Sequence, residues 1–426
     1  MMMKRLPAML IIGMLFFIFG FISWINAILI PYFKLCLQLS VKEAMMVAFA
    51  FYVSYFVMAI PSAGILTKTG LKKGMMLGLL IMAAGAVLFI PSAYYRNYPL
   101  FLTGLFTQAS GLTILQAAAN PYVTMLGPLE TAARRMSIMG ICNKVAGAIA
   151  PLILLHAITK SPQEIDDINR LLPTMSRGQS ATVFKELLLR LQLPYGVIGV
   201  VLVVLALFIQ YSGLPEAKPA QQTVTGPQRF FKYPQLVLGT IAIFCGVSVE
   251  VLAVDSIVNY AEFQGYNFEN AKFFASATLA LMIAGYLLGI ICISRLISQE
   301  KALALCGITG AVLTVFVLTT TGSVSVWSVA SLGLCNALLW PSIWPLALRG
   351  LGDYTERGAA FLIMAIVGGA ITPLAFGALA GAFNQQWAYI ILVPLYLFLL
   401  SFAVYSLKAM QKEKKIIGSQ LELQID

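Results

Sequence analysis

The sequence is poor in charged residues and contains a single histidine. Only 11% of its 426 residues are charged, whereas 60% are hydrophobic. A soluble domain carries about 25% charged residues. This composition therefore excludes an ordinary soluble protein and predicts a chain that lies in a lipid bilayer.

Signatures of catalysis, metal binding and nucleotide binding are also missing. The six cysteines are scattered without a CxxC spacing, which indicates neither a metal site nor a disulfide framework. The sequence has no P-loop and no zinc, serine-nucleophile or kinase motif. We therefore predict that the protein is not an enzyme, binds no cofactor and is not driven by ATP.

Long apolar stretches dominate the chain instead. About twelve of them reach the ~20 residues that cross a bilayer as a helix. They lie near 6–32, 43–66, 75–95, 100–125, 138–159, 191–214, 235–263, 271–298, 302–321, 324–348, 358–383 and 389–407. The predicted fold class is an all-α membrane protein with twelve transmembrane helices.

Basic residues predict the orientation of these helices. Most Lys and Arg residues between the spans fall on one side, among them Lys68, Lys72, Lys73, Arg134 and Arg135. Because such residues collect on the cytoplasmic side, both termini are expected there, in a multi-pass protein of the inner membrane. This bias explains most of the net charge of +11, so a nucleic-acid partner is not needed.

The two halves of the sequence repeat one another. Leu126-Gly127 before Arg134-Arg135 corresponds to Leu351-Gly352 before Arg357, and Pro121 corresponds to Pro341. The segment Gly147-Ala-Ile-Ala-Pro151 likewise matches Gly369-Ala-Ile-Thr-Pro373. This arrangement resembles the major facilitator architecture, two pseudo-symmetric six-helix bundles with substrate at the midplane between them.

The repeat gives the domain boundaries. We predict an N-terminal six-helix bundle at 1–214, a cytoplasmic linker at 215–234, a C-terminal six-helix bundle at 235–407 and a cytoplasmic tail at 408–426. Small residues at Gly78, Gly85, Gly285 and Gly289 predict close helix contacts within this framework. A monomer is the expected state for this architecture.

Two amides lie on one face of the fourth span. Gln116 and Asn120 are four residues apart, and Pro121 removes a backbone donor beside them. Polar groups at this depth cost several kcal/mol unless they have partners, so they line cavities or packed interfaces.

Three ionisable residues lie deep in spans, where charges are costly and mark function. They are Lys144, Glu250 and Asp255. Glu250 is interpreted as a proton or sodium carboxylate, with a structural salt bridge as the alternative. For Asp255, a cation-binding role and a structural salt bridge both stay open. Asp255 shares a helix face with Asn259, four residues later. Lys144 has three candidate roles, namely hydrogen bonding to sugar, a counter-ion to a carboxylate and snorkelling, and we favour the counter-ion.

The two carboxylates of the seventh span are about 140° apart on a regular helix. Glu250 and Asp255 can therefore share a cavity only if this helix is broken, as transporter helices often are. No metal ligand is assigned, although a sodium ion near Glu250 and Asp255 is one interpretation.

Several segments together resemble the family of fucose/proton symporters and glucose/galactose transporters. They are spread over both halves, and comprise Asn26-Ala27-Ile-Leu-Ile-Pro31, Gln116 to Thr124, Asn143 in Gly140-Ile-Cys-Asn-Lys, Val249-Glu250-Val251 and Val258-Asn259-Tyr260. Fucose symporters carry an aspartate where this chain has Ala27, and a glutamate where it has Gln116. The resemblance therefore implies that the proton relay of the fucose symporters is incomplete here.

A sugar requires many hydrogen-bonding groups and an aromatic surface for its C–H face. Asn336, Trp340 and Trp344 follow i, i+4, i+8 spacing on the tenth span, although Trp344 also suits an interfacial belt. Trp24 beside Asn26 is a further aromatic candidate. The predicted substrate-binding residues are Asn26, Gln108, Gln116, Asn120, Asn143, Asn259, Asn336 and Trp340.

The sequence thus predicts a secondary active transporter for a monosaccharide of the hexose class, working by alternating access. Symport with co-transported Na⁺ or H⁺ is the favoured energy coupling. The alternatives are a facilitative sugar uniporter, a membrane sensor that binds sugar without moving it, and a drug exporter on the same fold. The amide-rich faces of the predicted helices favour a sugar over a drug as the substrate.

Overall fold

Helices make up the regular structure of the described chain. The computed structural model describes residues 7–39, 41–161, 164–216, 231–266, 268–293 and 295–422. Within these ranges, twelve helical segments are long and apolar enough to cross a membrane. The predicted all-α membrane fold with twelve spans is confirmed.

The first six spans are nearly continuous helices. They are α1 Ala8–Leu37, α2 Val41–Thr69, α3 Leu71–Tyr95, α4 Tyr98–Met125, α5 Ala132–Ile158 and, after the short α6 Glu164–Leu171, the pair α7 Arg177–Arg190 and α8 Gln192–Tyr211.

The next six spans contain more interruptions. They are built from α9 Pro234–Asp255, α10 Ile257–Phe263, α11 Phe268–Cys292, α12 Gln299–Thr319, α13 Gly322–Asn336, α14 Leu339–Leu348, α15 Thr355–Met364, α16 Gly368–Ala382, α17 Gln385–Ala388 and α18 Leu392–Glu422.

Three of these interruptions have a local chemical cause. The Ser256 hydroxyl donates to the carbonyl of Leu252, a back-bond that bends helices. Pro341 has no N–H to offer the carbonyl of Ala337, where the tenth span breaks between α13 and α14. The eleventh span passes through a 3₁₀ turn at Ala365–Val367, directly before two glycines.

The loop expected between the fifth and sixth spans is largely helical. α7 begins with a capping box between Ser176 and Gln179. At its end, Arg190 is paired with Glu164 and Glu186, each at 2.9 Å. The hydroxyl of Tyr32 on α1 donates to the carbonyl of Leu187 at 2.7 Å, which fastens α7 to α1.

The sequence repeat has a structural counterpart. A 3₁₀ turn at Leu129–Thr131 precedes α5, and another at Gly352–Tyr354 precedes α15. In the first of these loops, the guanidinium of Arg135 donates to the carbonyls of Gly127 and Pro128. The two segments that share sequence therefore share the same local structure.

Two compact units can be distinguished by their internal packing. The first comprises Met1–Leu126, Cys142–Gln222 and Ala359–Ala370, and the second comprises Gly127–Ile141, Thr223–Gly358 and Ile371–Asp426. The domain boundaries expected from the sequence stay a prediction, and most of the linker, 217–230, lies outside the described residues. The predicted tail is helical as far as Glu422, since α18 continues beyond the membrane span.

Glycines allow two helix pairs to pack with their backbones in contact. A Cβ atom on Gly85 of α3 would lie 2.4 Å from the backbone nitrogen of Gln108 on α4. In the second unit, a Cβ atom on Gly285 of α11 would lie 2.5 Å from the carbonyl oxygen of Leu334 on α13. The close helix contacts expected at these glycines are therefore present.

We expect Gly85→Ala to destabilise the protein by about 1–3 kcal/mol, because α3 and α4 must separate to admit a methyl group. The midpoint of thermal unfolding of the purified protein measures this loss. Gly64→Ala is the matched control, since a Cβ atom there meets nothing within 4 Å. An equal midpoint for the two variants would contradict the importance of this crossing.

Candidate functional site

A polar cluster in the first unit connects α1, α2 and α4. The side-chain amide of Gln116 donates to the hydroxyl of Tyr55 at 3.3 Å, and Tyr55 is also hydrogen bonded to Ser23. Gln116 is partly exposed whereas Tyr55 is buried. Tyr55 and Ser23 were missed in the sequence, where a hydroxyl within an apolar span was the only available signal.

One turn after Gln116, Asn120 is almost fully buried, with 1% of its surface exposed. Within the described part of the chain, neither atom of its amide has a hydrogen-bond partner. Buried amides are almost always hydrogen bonded, so an exception requires an explanation such as a ligand or a water. Asn120 shares a face of α4 with Gln116, and its predicted binding of substrate stays a prediction.

Gln108 is also buried, and its amide has no hydrogen-bond partner among the described residues. It lies at the crossing of α4 with α3, next to Gly85. Its distance from Gln116 along the helix is about 12 Å, at 1.5 Å per residue. The structure therefore does not bring Gln108 together with the amides of Gln116 and Asn120.

The crossing of α1 and α5 carries two more of the predicted residues. Lys144 is buried, and its Nζ atom lies 4.7 Å from the ring centroid of Trp24. Asn143 is partly exposed and lies where α5 touches Gly20. The side chain of Asn26 lies outside the described part of the structure. The indole ring is a partner of Lys144 that the sequence analysis did not foresee, and the counter-ion role stays a prediction.

The seventh span holds the acidic residues of the second unit. Glu250 is partly buried in α9 and interacts electrostatically with Tyr286 of α11. Asp255 is the last residue of α9 and is exposed, as is Asn259 on α10. The helix break at Ser256 therefore comes after both acids and separates Asp255 from Asn259.

The position of the break determines whether Glu250 and Asp255 can face the same cavity. Glu250 and Asp255 belong to the same regular helix, so they stay about 140° apart and do not share a face. The geometry of α9 gives no support to a sodium site formed by both. Among the described residues, no group of three or more His, Cys, Asp and Glu side chains is placed to hold a metal ion.

Asn336 has a structural role in the second unit. Its side-chain nitrogen donates to the carbonyl of Val249 at 3.1 Å, and its side-chain oxygen accepts from the hydroxyl of Tyr396 at 2.7 Å. These bonds join α13 to α9 and α18. The predicted binding of substrate by Asn336 stays untested, but its observed contacts favour packing.

The stripe expected along the tenth span is divided. Asn336 ends α13, whereas Trp340 and Trp344 lie on α14, where their rings stack with centroids 5.1 Å apart. Trp344 is completely buried and Trp340 is partly exposed. The alternative of an interfacial belt is therefore wrong for Trp344. Of the two rings, that of Trp340 has the exposed surface.

The two buried asparagines provide a direct test of this distinction. We expect Asn336→Leu to lower the free energy of unfolding by about 1–3 kcal/mol, because it leaves a carbonyl and a hydroxyl without partners. Asn120→Leu, which removes an amide without partners, is expected to be neutral or stabilising. Thermal unfolding of both variants measures the difference, and Tyr396→Phe is the control for the lost hydroxyl contact. Equal losses in the two asparagine variants would contradict the assignment.

Twelve spanning segments with buried amides, a buried lysine and a carboxylate inside them define a multi-pass membrane protein of the transporter class. The family model of the Major Facilitator Superfamily matches residues 12–365. The chain therefore belongs to the major facilitator superfamily, in the branch of fucose/proton symporters and glucose/galactose transporters that its motifs resemble.

The individual relatives agree with this assignment. A glucose/galactose transporter of Brucella abortus is 34% identical over 405 residues, which cover 93% of this chain and 93% of the relative. The L-fucose-proton symporter of Escherichia coli is 30% identical over 383 residues, covering 86% and 85% of the two chains. A crystal structure of the fucose:proton symporter of E. coli superimposes with a TM-score of 0.82 at 26% identity, covering 93% of this chain and 98% of that one.

Proposed function

We propose that this protein is a proton-coupled symporter for a neutral monosaccharide of the hexose class. It would be a monomer of the cytoplasmic membrane with both termini in the cytoplasm, and it would work by alternating access. The names of the relatives support a sugar substrate and, for the fucose symporter, a proton as the coupled ion.

The observation that carries the proposal is the amide pair on α4. Gln116 is partly exposed and held by Tyr55, while the Asn120 amide beside it is buried without a partner among the described residues. Such groups can both donate and accept hydrogen bonds, as the hydroxyls of a sugar require. Neither amide carries a charge, which suits a neutral substrate.

The coupling carboxylate would be Glu250. Both positions at which the fucose symporters carry an acid in the first half are neutral here, Ala27 and Gln116. Glu250 is partly buried in a spanning helix, where ionisable groups are costly and usually functional. A proton is preferred to sodium because α9 does not bring Glu250 and Asp255 to one face. Asp255 and Asn259 are exposed, and we assign them no direct part in coupling.

We expect an imposed proton gradient to drive accumulation of glucose or galactose in proteoliposomes, and an imposed sodium gradient to have no such effect. Glu250→Gln should abolish accumulation but retain exchange of sugar across the membrane, because the carboxyl group is lost while the amides remain. Uptake of labelled glucose, galactose, mannose, fucose and N-acetylglucosamine under each gradient measures this.

Glu262→Gln is the matched control, because Glu262 is exposed on α10. It should accumulate sugar as the wild type does. Equilibration without accumulation in the wild type, unchanged in Glu250→Gln, would replace symport by facilitated uniport. Binding of sugar without any movement across the membrane would favour a sensor.

A further inference from the structure

The contact between α1 and α5 is built around one tryptophan ring. A Cβ atom on Gly20 would lie 1.9 Å from the carbonyl oxygen of Asn143, so the two backbones touch. Trp24 lies one turn after Gly20 on α1. A Cβ atom on Gly147 of α5 would lie 2.5 Å from the Cδ1 atom of Trp24. The absence of side chains at both glycines therefore lets the indole of Trp24 lie directly against α5.

Lys144 covers this ring. Its Nζ atom is 4.7 Å from the ring centroid, within the range in which an ammonium is attracted to the face of an indole. The attraction is stronger when the cation is desolvated, and Lys144 is only 4% exposed. Lys144 and Gly147 are three residues apart and thus share a face of α5, so one helix face supplies both the space for the ring and the cation that holds it.

Trp24 and Lys144 differ in their exposure to the surroundings. Trp24 is partly exposed, whereas Lys144 is buried. The buried ammonium therefore contacts a ring that keeps some surface of its own exposed. Aromatic rings with an accessible surface bind the C–H face of a sugar.

We propose that Lys144 is a positioning residue that fixes the indole of Trp24, so that the exposed surface of the ring forms a rigid platform for the sugar. This inference rests on the proposed sugar transport. Lys144 acts through the ring and does not itself touch the substrate. An unclamped indole would adopt several rotamers, and the sugar would lose affinity because binding must select one of them.

The test uses the full chain labelled with 5-fluorotryptophan and studied by ¹⁹F NMR, with Trp24→Phe to assign the resonance of Trp24. Lys144→Met should shift and broaden that resonance, because the charge and the restraint on the ring are both lost. Lys144→Arg should restore it, since a guanidinium can also lie on an indole face. Val145→Met is the matched control, because the neighbouring side chain is exposed.

Transport provides the second measurement. Lys144→Met should raise KM for the hexose about tenfold, the order expected when binding must order one freed side chain, and change kcat less than about twofold. Lys144→Arg should return KM toward the wild-type value. Lys144→Gln serves in place of the Met variant if that protein does not fold.

The outcomes separate this inference from the proposed function. An unchanged Trp24 resonance in Lys144→Met, or a change that Lys144→Arg does not reverse, would overturn the positioning role. A changed resonance in a protein whose wild type transports none of the sugars would leave that role in place and reject the proposed function. A changed and rescued resonance without any change in KM would show that the ring is not part of the sugar site.

Discussion

Every polar group within the hydrocarbon must find its partner inside the protein, and the rest of this structure depends on that constraint. Helices satisfy the backbone. Many hydroxyls follow the same rule locally, as Thr113, Thr278 and Thr314 each donate to the carbonyl four residues earlier. These residues need no further explanation. The amides and ionisable groups cannot be satisfied so simply, because they need a partner on another helix or in a ligand.

The same constraint distinguishes polar residues that hold the fold from those that are available to a ligand. Asn336 and Asn120 have the same residue type and are equally buried. Asn336 donates to one helix and accepts from another, whereas the Asn120 amide has no partner among the described residues. The sequence alone does not distinguish the two, because both are asparagines within apolar spans. Only their surroundings distinguish the amide that joins helices from the one without a partner among the described residues.

This also explains how much could be predicted from the sequence. Hydropathy located all twelve spans, and the shared Pro121 and Pro341 segments indicated the repeat, because both signals are local. A break in the seventh span was considered, but its position at Ser256 was not located, because the bend depends on one hydroxyl that also contacts Tyr389. The helix α7 was missed because its stability comes from Arg190 and from Tyr32 of α1. Lys144 was identified, but its contact with Trp24 joins two helices and has no sequence signal.

A hydrogen bond links α9, the helix that carries Glu250, to the break in the tenth span. Val249 precedes Glu250, and its carbonyl accepts the hydrogen bond of Asn336. Asn336 ends α13, directly before the break that leads to Trp340. This hydrogen bond therefore joins the α9 backbone beside Glu250 to the residue directly before the break in the tenth span. Asn336 thus connects the helix of Glu250, the carboxylate of the proposed mechanism, with the segment that leads to Trp340.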